Sequence, residues 1–299
     1  MMQDCTAPTP SFKNMSLIRK RWWMLLGFYI VAVWAALNLL SADGGLSMGR
    51  QPWKNLTKTF TELSSPSFLT VLQEQPLKEF RSDDGTLLRV EDPQKEERDF
   101  LSGMWRATLV TLAIATIGTA LAALIAIPFG VMAAQNLPTF APLRRFAQGF
   151  LNVCRSIHTL VFGLFLVGIV GLGPMAGILA VALHSMGTIG KLFAEAIETT
   201  DLGPAYAIRS VGGSRLQTVA WGIVPSLLPT WISSVLYIWE FNIRDSTVLG
   251  LVGAGGLGLL LSESLALFQW GRLATLLILI VALVWTFDAI SRRVRMALN

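Results

Sequence analysis

Glu195–Pro225 reads EAIETTDLGPAYAIRSVGGSRLQTVAWGIVP, and it lies between two long apolar runs, Pro174–Ala194 and Leu227–Val248. It is too structured for a simple turn. Leu202-Gly203-Pro204 starts a helix, with proline tolerated in the first turn because that N–H has no helical partner. Ala205–Val211 continues it, and Gly212-Gly213 ends it, since glycine takes the left-handed cap conformation without a Cβ penalty. Ser214 can cap a second helix carrying Leu216, Val219 and Trp221, which Pro225 is expected to break. The reading is two short amphipathic helices, set at an angle and held off a membrane.

Working outward, apolar runs cover Trp22–Ala42, Trp105–Ala134 and Phe146–Val170 before this segment, and Leu273–Ile290 closes the chain. Crossing a hydrocarbon core about 30 Å thick takes roughly 20 apolar residues in a helix, so the sequence predicts six spans. Composition agrees. Hydrophobic residues make up 53% and charged residues 14% of the 299, against about 25% charged in soluble domains. That excludes a disordered chain and argues against a soluble enzyme. Two cysteines and two histidines leave no disulfide scaffold and little for a metal.

The net charge of +5 belongs to one side of the membrane rather than to nucleic acid. Arg19-Lys20-Arg21 precede the first run, and Arg144-Arg145 lie between the second and third. Lys191 closes the fourth, Arg209 and Arg215 sit in the quoted segment, and Arg292-Arg293-Arg295 follow the sixth. Gly171-Leu172-Gly173, on the other side, carries no charge. Both termini are therefore expected inside, with the polar stretch 43–100 outside. The first run is too long for a signal-peptide core and lacks a clear cleavage site, so it reads as an uncleaved span. Within the outer stretch, Asp83-Asp84-Gly85 between Leu77–Phe80 and Leu87–Val90 suggests a small hairpin.

The quoted segment resembles the coupling loop of permease subunits of ATP-binding-cassette importers, E-A-A-x3-G-x9-I-x-L-P. Tyr206, Ala207, Ile208, Gly212 and Pro225 occupy its positions. Ala207, Gly212 and Pro225 match, whereas Tyr206 replaces the first Glu, Ile208 the second Ala and Gly222 the Ile. The resemblance implies an all-α polytopic membrane protein with the type I importer permease fold, six spans and a cytoplasmic coupling helix. It divides the chain into an inner tail (1–21), a first span (22–42), an external excursion (43–100) and a permease core (101–299) with coupling loop 199–225. A short helix on the inner surface can lie in a groove of a soluble ATPase and pass its movement to the spans. Arg209 and Arg215 could pair with acidic groups there. The bland alternative is an ordinary interfacial helix.

Asn242–Gly258, NIRDSTVLGLVGAGGLG, together with Cys154-Arg155-Ser156-Ile157 and Gly171-Leu172-Gly173-Pro174, is similar to permeases of phosphonate-type importers, a family that also serves phosphite. The resemblance covers about Gly103 to the C-terminus. Methionine-type importer permeases share a like glycine segment and are the alternative. Gly253, Gly255 and Gly256 are expected in a close-packed turn of the translocation gate, though small-residue helix packing would equally account for them. No P-loop is present, so the chain itself should bind no ATP. Arg244 and Asp245, late in the fifth run, and Arg155, in the third, are ionisable groups within spans, which are costly and usually face a cavity or a partner. The planar fork of arginine suits a tetrahedral oxyanion. Arg244, Asp245, Ser246 and Thr247, with Arg155 and His158, are therefore candidate pathway residues. A Glu240–Arg244 or Asp245–Arg244 ion pair, and a merely hydrogen-bonded His158, are the structural alternatives.

The family resemblance implies a homodimer on two ATP-binding subunits, which hold ATP and magnesium, fed by an external substrate-binding protein and embedded in membrane lipid of the inner membrane. It implies no cofactor, metal, catalytic residue or nucleic acid for this chain. A membrane-embedded enzyme would need acids, histidines or a nucleophile clustered on facing helices. A secondary carrier would favour inverted repeats. The sequence shows neither.

Overall fold

The computed structural model describes residues 12–42, 51–71, 78–81, 87–137, 139–214 and 217–298. The chain divides into two compact units, Met1–Lys58 and Thr59–Asn299. The first holds helix α1 (Phe12–Ala42), whose stretch Trp22–Leu39 has mean hydropathy 1.7, enough for one span. Next come α2 (Pro52–Leu63), α3 (Ser67–Thr70) and the strands β1 (Lys78–Arg81) and β2 (Leu87–Glu91). The strands pair antiparallel, with Lys78 opposite Glu91 and Phe80 opposite Arg89, as the expected hairpin requires. Its turn, Asp83-Asp84-Gly85, lies outside the described residues.

Helix α4 (Pro93–Ala133) begins well before the apolar run from Trp105 that marks it in sequence. Asp92 caps it, its Oδ1 accepting from the N–H groups of Gln94 (3.1 Å) and Lys95 (3.2 Å), and Pro93 stands in the first turn. Its 41 residues span about 60 Å at 1.5 Å per residue, twice the hydrocarbon thickness, so its first turns project beyond the core.

The expected third span, Phe146–Val170, is not one helix. It is α5 (Ala141–Ser156) and α6 (Thr159–Val170), bent by 92°. Ile157 is extended (φ −93°, ψ 123°), and its carbonyl accepts from His184 Nδ1 at 2.7 Å. His158 caps α6, its Nδ1 accepting from the Leu160 N–H at 3.2 Å. A break within a bilayer persists only where the freed backbone groups find partners, and these two histidines supply them. Arg144, Arg145, Gln148, Asn152 and Arg155 make α5 polar along one side, a sign visible in sequence that the length of the apolar run conceals.

Helix α7 (Pro174–Thr199) is the centre of the second unit and packs on α4, α5 and α6. Its buried face is built of small residues, including Ala176, Gly177, Ala180, Gly187 and Gly190. The approach is close: a Cβ added at Gly118 of α4 would stand 2.7 Å from Val181, and one at Gly190 would stand 2.6 Å from Leu151. Without a hydrophobic drive between helices in lipid, backbones brought together by small residues supply the packing energy.

Beyond α7 come α8 (Gly203–Ser210), a π-helical turn (Thr218–Ile223), α9 (Val224–Leu249), a 3₁₀ turn (Gly250–Val252), α10 (Leu257–Ala266) and α11 (Trp270–Leu298). Pro225 does not separate a second short helix from the fifth span. The wide π turn runs straight into α9, and its altered hydrogen-bond pattern accommodates the N–H that proline lacks. Helix α10, between the fifth and sixth spans, was not expected. With α1 and the broken pair each counted once, the described helices allow six crossings.

The second unit has two distinct ends. At one, Gly173 N–H donates to Gly253 O (2.9 Å), and the Leu257 N–H donates to Thr111 Oγ1 (2.9 Å). At the other, Gln135 N–H donates to Glu198 Oε1 (2.9 Å), and Asn136 Nδ2 donates to Ile197 O (2.8 Å). Alternating spans place α8 at this second end.

Candidate coupling and translocation sites

The candidate coupling element is built as its sequence dictates. Asp201 Oδ1 accepts from the Gly203 N–H (2.9 Å), and Pro204 follows in the first turn of α8. Gly212 has φ +85°, and the Gly213 N–H returns to Ile208 O at 3.0 Å, closing the helix. Ser214 and Gln217 then form a reciprocal capping box: Ser214 N–H donates to Gln217 Oε1 (2.8 Å), and Gln217 N–H donates to Ser214 Oγ (3.4 Å). The close approach holding α8 against the following turn is between Ala205, which is buried, and Gly222, where a Cβ would lie 2.8 Å from the Ala205 Cα. Ala207 and Gly212 are exposed, and a Cβ at Gly212 would meet nothing within 4 Å. Tyr206, Arg209 and Pro225 are exposed too, and Ile208 is half-buried. Ile208, Val211, Gly212, Gly213, Gln217 and Trp221 line a shallow groove of about 370 Å³. Arg215 lies outside the described residues.

At the helix break, an open cavity of about 480 Å³ is lined by Arg155, Ser156, His184, Ser185, Tyr237 and Asn242, among others. Asn242 of α9 is fully buried at its wall. Its Nδ2 donates to Thr119 Oγ1 (2.7 Å) and to Ser185 Oγ (2.8 Å), and the Ser185 hydroxyl donates back to Oδ1 (3.0 Å). This trio ties α4, α7 and α9 together beneath the cavity floor. Next to it, Thr159 Oγ1 donates to Asp245 Oδ2 (2.9 Å), joining α6 to α9.

The carboxylates that could neutralise the two arginines are engaged elsewhere. Glu240 pairs with Arg295 of α11 (3.2 Å), not with Arg244 as its i,i+4 spacing allowed, and Arg295 also sits over the Tyr237 ring. Asp245 faces Thr159. Among the described residues, Arg155 and Arg244 have no carboxylate within ion-pair distance, and both side chains are exposed. Arg155 and the cavity thus make a cationic, hydrogen-bonding recess at the helix break. Among the described residues, no group of three His, Cys, Asp or Glu side chains could hold a metal.

The glycine segment turns sharply, and two of its positions are crowded. Gly253, Gly255 and Gly256 have φ of +91°, +82° and +71°. A Cβ at Gly256 would strike Thr111 Oγ1, and one at Gly253 would strike Leu172. Both backbone angles disfavour a side chain; at Gly256 the Thr111 backbone N (3.2 Å) also crowds the position, whereas at Gly253 the neighbour is the end of the exposed Leu172 side chain, which can swing aside.

Residues 126–299 match the family described as the inner membrane component of binding-protein-dependent transport systems. The chain belongs to this family. It is 39% identical over 186 residues to the phosphite transport system permease protein PtxC of Stutzerimonas stutzeri, covering 62% of this chain and 68% of that protein. It is 36% identical over 192 residues to the phosphate-import permease protein PhnE of Mycolicibacterium smegmatis, covering 64% of this chain but 36% of that one. In fold it is similar to the methionine transporter MetNI solved in inward-facing conformations, with a TM-score of 0.59 at 24% identity over 66% of this chain and 96% of that chain. The helical type I importer permease fold expected from sequence is therefore the fold found, with the β1–β2 hairpin as an addition to it.

The structure brings Arg155 together with His184, Ser185 and Asn242 around one cavity. His158 is exposed and serves as a helix cap. Ser246 and Thr247 are buried, and the Thr247 hydroxyl donates to the Arg244 carbonyl (2.6 Å). Sequence reasoning missed Asn242, Ser185 and Thr188 as cavity-wall residues. Their sign was present: small polar side chains within predicted spans, where lipid would leave them unpaired.

Proposed function

We propose that this chain is the membrane half of an ATP-driven importer for a small phosphorus oxyanion, of the phosphite, phosphonate or phosphate class. Two copies would stand on two ATP-binding subunits, which hold ATP and magnesium and carry out its hydrolysis. An external binding protein would deliver the anion. The observation that carries the reading is the pair of arginines that have no carboxylate within ion-pair distance among the described residues, one of them in the wall of an open cavity at the helix break. An ionised arginine in a membrane is costly unless it faces water, a partner or an anion, and its planar fork matches a tetrahedral oxyanion. Relatives named for phosphite and phosphate transport point the same way.

The exposed face of α8, with Tyr206, Ala207 and Arg209, is the docking foot for the ATPase. Closure of the ATPases draws two such feet together and turns the spans outward. The Ala205–Gly222 contact passes that movement into α9, because the two backbones are too close to slide independently. Both chain termini then lie in the cytoplasm, with α2 to β2 outside.

The test is uptake by the permease reconstituted with its ATPase and binding protein, offered phosphite, methylphosphonate, hypophosphite, phosphate and methionine. Arg155→Ala and Arg244→Ala are expected to assemble and to lose most oxyanion uptake. Unchanged uptake in both variants rejects the arginine path. Uptake of methionine but of no phosphorus anion supports the methionine-type alternative. Uptake driven by an ion gradient without the ATPase rejects the importer mechanism.

A further inference from the structure

Among the described residues, none buries the apolar face of helix α2. At 100° per residue, Trp53, Leu56, Phe60 and Leu63 fall within an arc of about 80°, while Lys54, Asn55, Lys58 and Glu62 occupy the opposite side. None of its residues is buried; Trp53 is 77% exposed and Phe60 68%. A helix of this kind, polar around most of its circumference but with a sharp apolar stripe of Trp, Leu and Phe, is neither a span nor a solvated linker. It belongs at an apolar–polar boundary.

The depth at which the helix ends is fixed by the chain. Immediately after α2, Ser65–Ser67 press against the first turns of α11: a Cβ at Gly271 would lie 2.9 Å from Ser65 O, and the buried Ser67 and Thr275 hydroxyls are 3.0 Å apart. That mouth of α11 carries interfacial groups. Phe268 and Trp270 have ring centroids 6.1 Å apart, and Arg272 binds Glu97 (2.9 Å) and Glu96 (3.0 Å) just below them. Aromatic rings and ion pairs of this kind mark headgroup level. The C-terminal end of α2 is thus held where headgroups meet acyl chains.

We propose that α2 is a membrane-surface helix, lying in the lipid headgroup layer. Trp53, Leu56 and Phe60 enter the acyl boundary, and Lys54 and Lys58 face the phosphate-bearing headgroup and aqueous side. Lipid, rather than a protein partner, is the occupant favoured by the tether at the α11 mouth and by the aromatic, lysine-bordered stripe.

Spin labels on the full-length chain in phosphatidylcholine–phosphatidylglycerol vesicles test this without measuring transport. Cys5→Ser removes one native thiol, and Cys154 is buried and stays. Single cysteines are placed at Leu56, Phe60, Lys54 and Glu62 in turn. Labels at 56 and 60 should relax faster with oxygen than with a water-soluble nickel chelate, and labels at 54 and 62 the reverse. A variant that fails to insert is replaced by Trp53→Cys for the apolar face or Asn55→Cys for the polar one. Four labels all dominated by the chelate overturn the proposal. So does shielding of 56 and 60 that arises only on adding the substrate-binding protein, which would make α2 a protein-docking helix.

Discussion

Replacing glycine by alanine should have opposite effects on two neighbouring helices. At Gly187 of α7, the added Cβ would stand 2.5 Å from the Arg155 backbone N, 2.7 Å from Leu151 O and 2.9 Å from Cys154 Cβ. Two of these are backbone atoms of α5, so no side chain can swing away. Moving the nearest from 2.5 Å to the 3.4 Å of ordinary contact displaces the last turn of α5 by about 0.9 Å. That turn carries Arg155 and ends at the 92° break. Overpacking of this kind costs about 1–3 kcal/mol. At Gly149 of α5, an added Cβ meets nothing within 4 Å, and the only change is the gain in helix propensity, up to about 1 kcal/mol. Gly187→Ala should therefore unfold at lower temperature and transport less, while Gly149→Ala should be equal or more stable and transport normally. Thermal unfolding in one detergent, with uptake in parallel, checks both. Equal stability of the two variants, or the opposite order, would refute the claim that α5 and α7 are locked backbone to backbone.

Asn242→Ala removes three interhelical hydrogen bonds and strands the Ser185 hydroxyl. At about 0.6 kcal/mol per bond within a membrane, plus the stranded donor, the loss should be about 2–3 kcal/mol, read by denaturant unfolding in micelles; a loss below about 0.5 kcal/mol contradicts the trio's role. Gly212→Val forces a β-branched residue to φ +85° in open space, whereas Gly212→Asn tolerates that angle. The valine variant should therefore lose substrate-stimulated ATP hydrolysis in the assembled transporter and the asparagine variant keep most of it; equal activities would mean that the left-handed cap is dispensable. Gly222→Ala pushes a Cβ to within 2.8 Å of the Ala205 Cα. It should weaken crosslinking from a cysteine at Ala207 to the ATPase, and unaltered crosslinking would show that α8 is positioned by something else.

Much of this protein is legible from the sequence alone, because a bilayer makes local demands. Every spanning backbone must satisfy its own hydrogen bonds within about 20 apolar residues, so the apolar runs, the proline and glycine that bound α8 and the capping pair Ser214–Gln217 show where most of the helices lie. The glycines with positive φ are legible for the same reason, since they answer to their own backbone. What sequence could not decide depends on partners far along the chain. The third span breaks because His184, 27 residues on, offers a donor to Ile157 O. Glu240 turns from Arg244, one turn away, to Arg295, 55 residues on. Ala205 meets the following turn because Gly222, distant from it in sequence, lies opposite it. In each case the choice between a near partner and a distant one is made by packing, and helix packing against small residues is set by which faces meet in three dimensions.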